Sequence, residues 1–211
     1  MKKYHKIQTV FKRDPENNHK TLLLNDYSLP EFEYLKDNIW VFTEKVDGTN
    51  IRVIFENGQF EFKGKSDNAD VPQTLIDKLV ETYIPKKELF KEMFEGGVCL
   101  YGEGYGPKIQ SGGKYLAYQD FVLFDVNIDG WWLQRKDVQE ISTKLKIRRV
   151  PIIGTGTLAT MVEWAEHGIL STWGDFEAEG IVARPLTEFC TRNGDRLITK
   201  IKCRDFERQL V

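Results

Sequence analysis

At 211 residues the chain can bury one sizeable core, and its 41% hydrophobic and 29% charged content is that of an ordinary globular protein. No apolar run approaches the length needed to span a bilayer, and the basic start Met1-Lys2-Lys3 has no apolar segment behind it, so a cytoplasmic protein away from membranes is expected. A formal net charge of −2 excludes a protein that coats nucleic acid by bulk charge, while leaving room for a local basic groove. Cys99, Cys190 and Cys203 are odd in number and lack close paired spacing, which argues for reduced thiols rather than disulfides or a zinc site.

Taken in order, Ile39-Trp40-Val41-Phe42 reads as a mostly apolar strand leading into Thr43-Glu44-Lys45-Val46-Asp47-Gly48-Thr49-Asn50. Lys45 therefore stands at a strand end just before a turn, with Gly48 allowing close backbone approach. Ile51 to Phe55 and Gln59 to Phe62 alternate around Asn57-Gly58, a two-residue hairpin signal. Leu75, Ile76, Leu79, Val80 and Tyr83 recur at helical spacing; Pro85 interrupts, and Leu89, Phe90, Met93 and Phe94 resume until Gly96-Gly97. Two short helices covering one sheet face are predicted. Strands follow over Val98 to Tyr101 and Phe121 to Val126, then a turn at Asp129-Gly130 into Trp131-Trp132-Leu133. The adjacent tryptophans should point to opposite faces and both pack. Helices are expected over 136–146 and 157–167, and strands over Glu179 to Arg184 and Leu197 to Lys202. The pattern gives an α+β class, antiparallel sheets flanked by helices, in a single domain over 1–211.

The chemistry-bearing residues fall on these strands. A lysine amine is a nucleophile only without its proton, a state favoured by desolvation or nearby cations. Lys200 and Lys202, two apart on a strand, present both amines to one face and suit an anion such as a phosphate. Glu103 sits among glycines in Tyr101-Gly102-Glu103-Gly104; Glu179 opens a strand; Phe124-Asp125 sets an aromatic face beside an acid; Lys65 ends the hairpin in Lys63-Gly64-Lys65-Ser66. Taken singly, the lysines fit a solvated strand face, Phe124 a core position, and the two glutamates ordinary turns. Together a nucleophilic lysine, an aromatic, carboxylates and paired lysines describe nucleotidyl transfer. Lys144 to Arg149 is a basic run suited to nucleic acid, but more commonly a solvated helix end.

At these positions the chain resembles the covalent nucleotidyltransferases, the superfamily of ATP-dependent nucleic-acid ligases and mRNA capping enzymes. Lys45-Val46-Asp47-Gly48 matches motif I, Tyr101-Gly102-Glu103-Gly104 motif III, Val122-Leu123-Phe124-Asp125 motif IIIa, Glu179-Gly180-Ile181-Val182 motif IV, and Ile198-Thr199-Lys200-Ile201-Lys202 motif V. Gly48-Thr49-Asn50, the run Lys202-Cys203-Arg204-Asp205-Phe206 and Gly106-Pro107-Lys108-Ile109-Gln110 are most similar to the RNA ligases that seal nicks in duplex RNA.

The resemblance implies an adenylation domain of the ATP-grasp-like ligase type without an OB-fold, since the chain ends shortly after motif V. It implies an ATP-dependent RNA ligase working through a lysyl-AMP on Lys45, with Lys200 and Lys202 on the α-phosphate. Glu44, Asn50, Lys65, Glu103 and Phe124 are carried over as nucleotide-binding residues, and Glu179 as a contact to Mg²⁺ or Mn²⁺. Lys65 stands where the family has an arginine, and Arg52 is the alternative for that role. Implied partners are RNA ends or a nicked duplex, with a separate protein replacing a C-terminal domain; the expected state is a monomer. A minimal DNA ligase, and a nucleotide or RNA-end binder without the full ligation cycle, remain the competing readings. A capping guanylyltransferase fits less well without an OB-fold.

Overall fold

The structure, a computed structural model, describes residues 3–206. The chain opens with strands β1 (Gln8–Thr9), β2 (Phe11–Arg13) and β3 (Leu22–Tyr27), helix α1 (Pro30–Tyr34) and strand β4 (Trp40–Glu44). The hairpin β5 (Thr49–Glu56) and β6 (Gln59–Lys63) follows, then α2 (Gln73–Tyr83), a 3₁₀ turn and α3 (Lys87–Met93). Next come β7 (Val98–Tyr105), β8 (Asp120–Ile128), β9 (Trp131–Trp132) and α4 (Arg135–Leu145). Strand β10 (Ile152–Gly156), α5 (Leu158–His167), β11 (Gly180–Pro185) and β12 (Thr199–Lys202) complete the order, and a 3₁₀ turn at Cys203–Asp205 follows. Mixed α and β structure with mostly antiparallel pairing is what the alternation predicts. Among the described residues, no helix is long and apolar enough to cross a membrane.

The elements form two compact units. The first contains Val46–Val150 and the residues up to His5. Its sheet runs β6-β5-β7-β8-β9, antiparallel throughout. The hairpin tip has Asn57 at φ 52° and Gly58 at φ 71°, the doubly positive geometry of a tight hairpin turn. Alternation then sorts side chains: Ile51, Val53, Phe55, Leu100, Phe121 and Leu123 pack beneath Leu75, Leu79, Tyr83 and Phe90 of the paired helices and Val138 and Leu145 of α4. Each such side chain stabilises by roughly 1.5–3 kcal/mol through burial. Asn50, Arg52, Ile54, Cys99, Tyr101 and Glu103 alternate with these core residues. Lys146 ends α4 in the left-handed conformation at φ 52°, and Lys144, Lys146 and Arg148 are exposed, the arrangement of a solvated helix end.

The second unit holds Lys6–Lys45 and the chain from Pro151 onward. Its sheet order is β1-β12-β11-β4-β10, with β1 parallel to β12 and the other pairs antiparallel, while β2 and β3 form a separate ribbon. Leu158, Met161 and Ala165 of α5 cover Phe42, Ile181, Ala183 and Ile201 on one sheet face. Trp40 is fully buried and its indole Nε1 donates to Leu35 O at 2.9 Å, joining β4 to the chain after α1.

Trp131 departs from expectation. It is 79% exposed, while Trp132 packs against Tyr4 and Tyr101. A two-residue edge strand has a covered face on one side only. We expect Trp40→Phe, which keeps most of the volume and removes the indole bond while Leu35 O keeps its bond from Asn38 N at 3.0 Å, to cost about 0.5–1.5 kcal/mol for that bond in urea unfolding; an unchanged midpoint would show that the indole bond carries no weight.

Candidate active site

Three strands of the second unit bring the lysines together. Val182 of β11 lies between Thr43 of β4 and Lys200 of β12, and Gly180 lies opposite Lys202. The Lys45 amide extends the β4 ladder by donating to Gly180 O at 2.9 Å. A Cβ on Gly180 would sit 2.1 Å from Ile201 O and 2.7 Å from Lys202 Cα, so the close spacing of β12 needs glycine there. Lys200 and Lys202 share a face because they are two apart, and the alternate residues Thr199 and Ile201 are buried.

Glu179, immediately before β11, ties the amines together. Lys45 Nζ donates to its Oε2 at 2.6 Å and Lys202 Nζ to its Oε1 at 2.7 Å. The three side chains are 19%, 18% and 9% exposed for Lys45, Lys202 and Glu179. Burial pushes the Glu179 carboxyl up, but Lys45 and Lys202 together outweigh it and hold the group below the ordinary glutamate value. Lys200 is half-buried, and burial first, then the charges of Lys45 and Lys202, hold its amine below the usual lysine range. Three amines against one carboxylate leave a positive excess in a partly dehydrated place, where an anion is stabilised more than in water.

Glu44 is turned away from this cluster. Adjacent strand residues face opposite sides, and Glu44 is 1% exposed, its carboxylate accepting from Ser171 Oγ at 2.6 Å, Thr172 N at 2.8 Å and Thr172 Oγ1 at 2.7 Å. It braces the loop after α5. Two residues with no role assigned from sequence stand beside the lysines: Asp205, within the run from Lys202 to Phe206, accepts from the Lys202 amide, and Arg13 pairs with Asp205 at 2.8 Å. The three-residue interval from Lys202 to Asp205 is a local signal for such a side-chain turn. Arg13, far away in sequence, has none.

The first unit holds the remaining candidates. Asn50 and Glu103 are cross-strand neighbours, with Arg52 and Tyr101 the next pair on the same face. Asn50 Oδ1 is buried without a hydrogen-bond partner, an acceptor awaiting a donor. Gly48 passes so close to this strand that a Cβ would lie 2.2 Å from Gly104 O and 2.9 Å from Glu103 Cγ. Asp47 holds the 106–115 segment: its amide donates to Tyr115 Oη at 3.1 Å, and its Oδ2 accepts from Ser111 N at 3.2 Å. Arg52 is 1% exposed and is committed to Gly64 O at 2.9 Å and Asp67 Oδ1 at 2.7 Å. Lys65, exposed, rides on the loop that Arg52 secures. Phe124 is half-buried and meets Tyr4 edge-on at 5.0 Å, while Tyr4 Oη donates to the buried Asp125 at 2.7 Å. Among the described residues, no three His, Cys, Asp or Glu side chains gather as a metal cage.

A family model described as RNA ligase matches residues 38–202, and the chain belongs to that family. No relative among the curated proteins matches. Among solved structures, a Naegleria gruberi RNA ligase variant without ligand aligns at TM-score 0.64 and 19% identity, over 96% of this chain and 57% of that one. Variants of the same ligase with AMP and Mn and with ATP and Mn align at TM-scores 0.64 and 0.66, at 19% and 18% identity, each over 95% of this chain and 57% of the other. The likeness is one of fold, and the chain spans little more than half the length of those proteins.

The Glu179 shift sets a pH dependence. A folded-state value below the unfolded one, about 4.3, means stability that is present above that value and lost as pH falls through the lower folded value. In urea unfolding at pH 7 and pH 3, the wild type should lose more stability than Glu179→Gln; equal losses would remove the assigned cause. Gly180→Ala should lower the unfolding free energy by about 1–3 kcal/mol through overpacking against β12, and an unaltered midpoint would refute the close approach.

Proposed function

We propose that this protein is an ATP-dependent RNA ligase that joins 3′-hydroxyl and 5′-phosphate ends through a lysyl-AMP on Lys45. The observation that carries the reading is the placement of Lys45 and Lys202 on the two oxygens of Glu179, with Lys200 on the same strand face as Lys202. A half-buried excess of positive charge suits a polyphosphate, and the unpartnered Asn50 Oδ1 suits a donor from a nucleoside.

On this reading the deprotonated Lys45 Nζ forms a bond to the α-phosphorus of ATP as the bond to the pyrophosphate oxygen breaks. Lys200 and Lys202 balance the negative charge that gathers on the α-phosphate. The AMP group then passes from Nζ to a terminal 5′-phosphate, restoring the lysine. A 3′-hydroxyl finally attacks that phosphorus, releasing AMP and closing the strand. Phe124 offers its ring to adenine, Glu103 and Asn50 bind the nucleoside, and Lys65 supplies the cation where relatives carry arginine. Glu44 acts by bracing the 171–172 loop rather than by touching nucleotide.

A divalent ion fits this donor set as Mg²⁺ commonly binds, through one carboxylate with phosphate oxygens and water making up the rest. Glu179 is the carboxylate that would hold Mg²⁺ or Mn²⁺, and the ion would lend Lewis-acid charge to the departing pyrophosphate.

The test is intact-protein mass after incubation with ATP and Mg²⁺. An AMP-sized gain mapped to Lys45, and lost in Lys45→Ala with an unchanged melting temperature, is expected. Protein first treated with pyrophosphate that then gains nothing would overturn the reading in favour of a nucleotide-binding protein. Faster sealing of nicked RNA than of nicked DNA is the second expected outcome; the reverse would favour a DNA ligase.

A further inference from the structure

We infer that Asp205 and Arg13 form a positioning pair that fixes Lys202, an inference that rests on the proposed adenylyl transfer. The need for it comes from the way β12 ends. One edge of β12 pairs with β11, and the Gly180 carbonyl opposite Lys202 is engaged by the amide of Lys45, the residue after β4. The other edge pairs with β1, but only as far as Lys200, whose carbonyl accepts from Val10 N at 3.0 Å. The β1 register ends there, so among the described residues the Lys202 amide faces a position with no strand to receive it.

Asp205 fills that position. Its Oδ2 accepts from Lys202 N at 3.1 Å, standing in for the absent strand carbonyl. Its Oδ1 accepts from Arg13 Nη2 at 2.8 Å, and the Asp205 side chain is only 4% exposed. Arg13 is itself fixed, since Nη1 donates to His19 O at 3.2 Å and Lys20 O at 3.3 Å across the turn of the β2–β3 ribbon. The next amide, Cys203 N, donates to Glu179 O at 3.0 Å. Lys202 is thus held at its amide through Asp205 and at its amine through Glu179. The N-terminal ribbon reaches the end of the motif-bearing strand by this route. A misplacement of about 1 Å at a reacting group can lower a rate on the order of 100-fold, so the pair has leverage over chemistry without touching nucleotide.

The experiment is single-turnover AMP transfer onto full-length protein at several ATP concentrations, with the molar yield of adduct and the melting temperature recorded for each variant. Asp205→Ala is expected to slow transfer at saturating ATP by roughly 10- to 100-fold, while the half-saturating ATP concentration moves little. Asp205→Asn keeps an oxygen for the Lys202 amide and should recover most of that rate. Arg13→Gln leaves the Asp205 bond but loosens it, and should fall between the two. The inference is overturned if adduct-competent Asp205→Ala reacts at the wild-type rate with only yield or melting temperature reduced. It is also overturned if Asp205→Asn is no faster than Asp205→Ala. Should Asp205→Ala fail to fold, a wild-type rate in both Asp205→Asn and Arg13→Gln overturns it. Wild type that never takes up AMP would instead remove the adenylyl-transfer reading and this inference with it.

Discussion

One carboxylate organises the lysine-bearing end of the second unit. Without Glu179, three lysine amines would be gathered on neighbouring strands with nothing to offset their repulsion in a partly dehydrated setting. The pairing explains why the glutamate stands directly before Gly180. The strand must begin there for the carboxylate to lie between β4 and β12, and the glycine must follow so that β12 can come close. Charge and backbone spacing are therefore one constraint.

The same carboxylate makes the amines available to a different anion. A phosphate group carries the kind of charge that Glu179 supplies, so on the proposed function an incoming polyphosphate would compete for partners that are already collected and oriented. Preorganised donors of this kind need little rearrangement when negative charge develops, which is where electrostatic stabilisation is largest. The buried Asn50 acceptor in the first unit has the same character, a polar atom kept out of water before any ligand arrives.

Much of this was legible in the sequence, for identifiable reasons. The period-2 pattern around Asn57-Gly58 and the helical spacing of Leu75, Leu79 and Tyr83 are local signals, and the hairpin and α2 follow them closely. Lys200 and Lys202 share a face by strand geometry alone. Glu44, next to Lys45 in sequence, instead turns its carboxylate to Ser171 and Thr172, a difference that adjacency in a motif does not reveal. The ribbon β2–β3, helix α1 and the parallel pairing of β1 with β12 leave little local trace, because they are short or join residues nearly two hundred positions apart. Arg13 belongs to that class: no spacing rule could link it to Asp205.

Lys45 directly follows β4, a strand with neighbours on both sides, β11 and β10, and its amide is fastened to Gly180 O. The backbone under this lysine is thus anchored, and the reach of its amine comes from four methylenes. On the proposed function, leaving Glu179 for a substrate asks the Lys45 side chain to change rotamer, a class of motion that in accessible side chains takes picoseconds to nanoseconds, far faster than the micro- to millisecond movements of domains. On that reading, selection can alter how quickly substrates arrive or leave by changing distant loops, with the Lys45 amine left on the same fixed pivot.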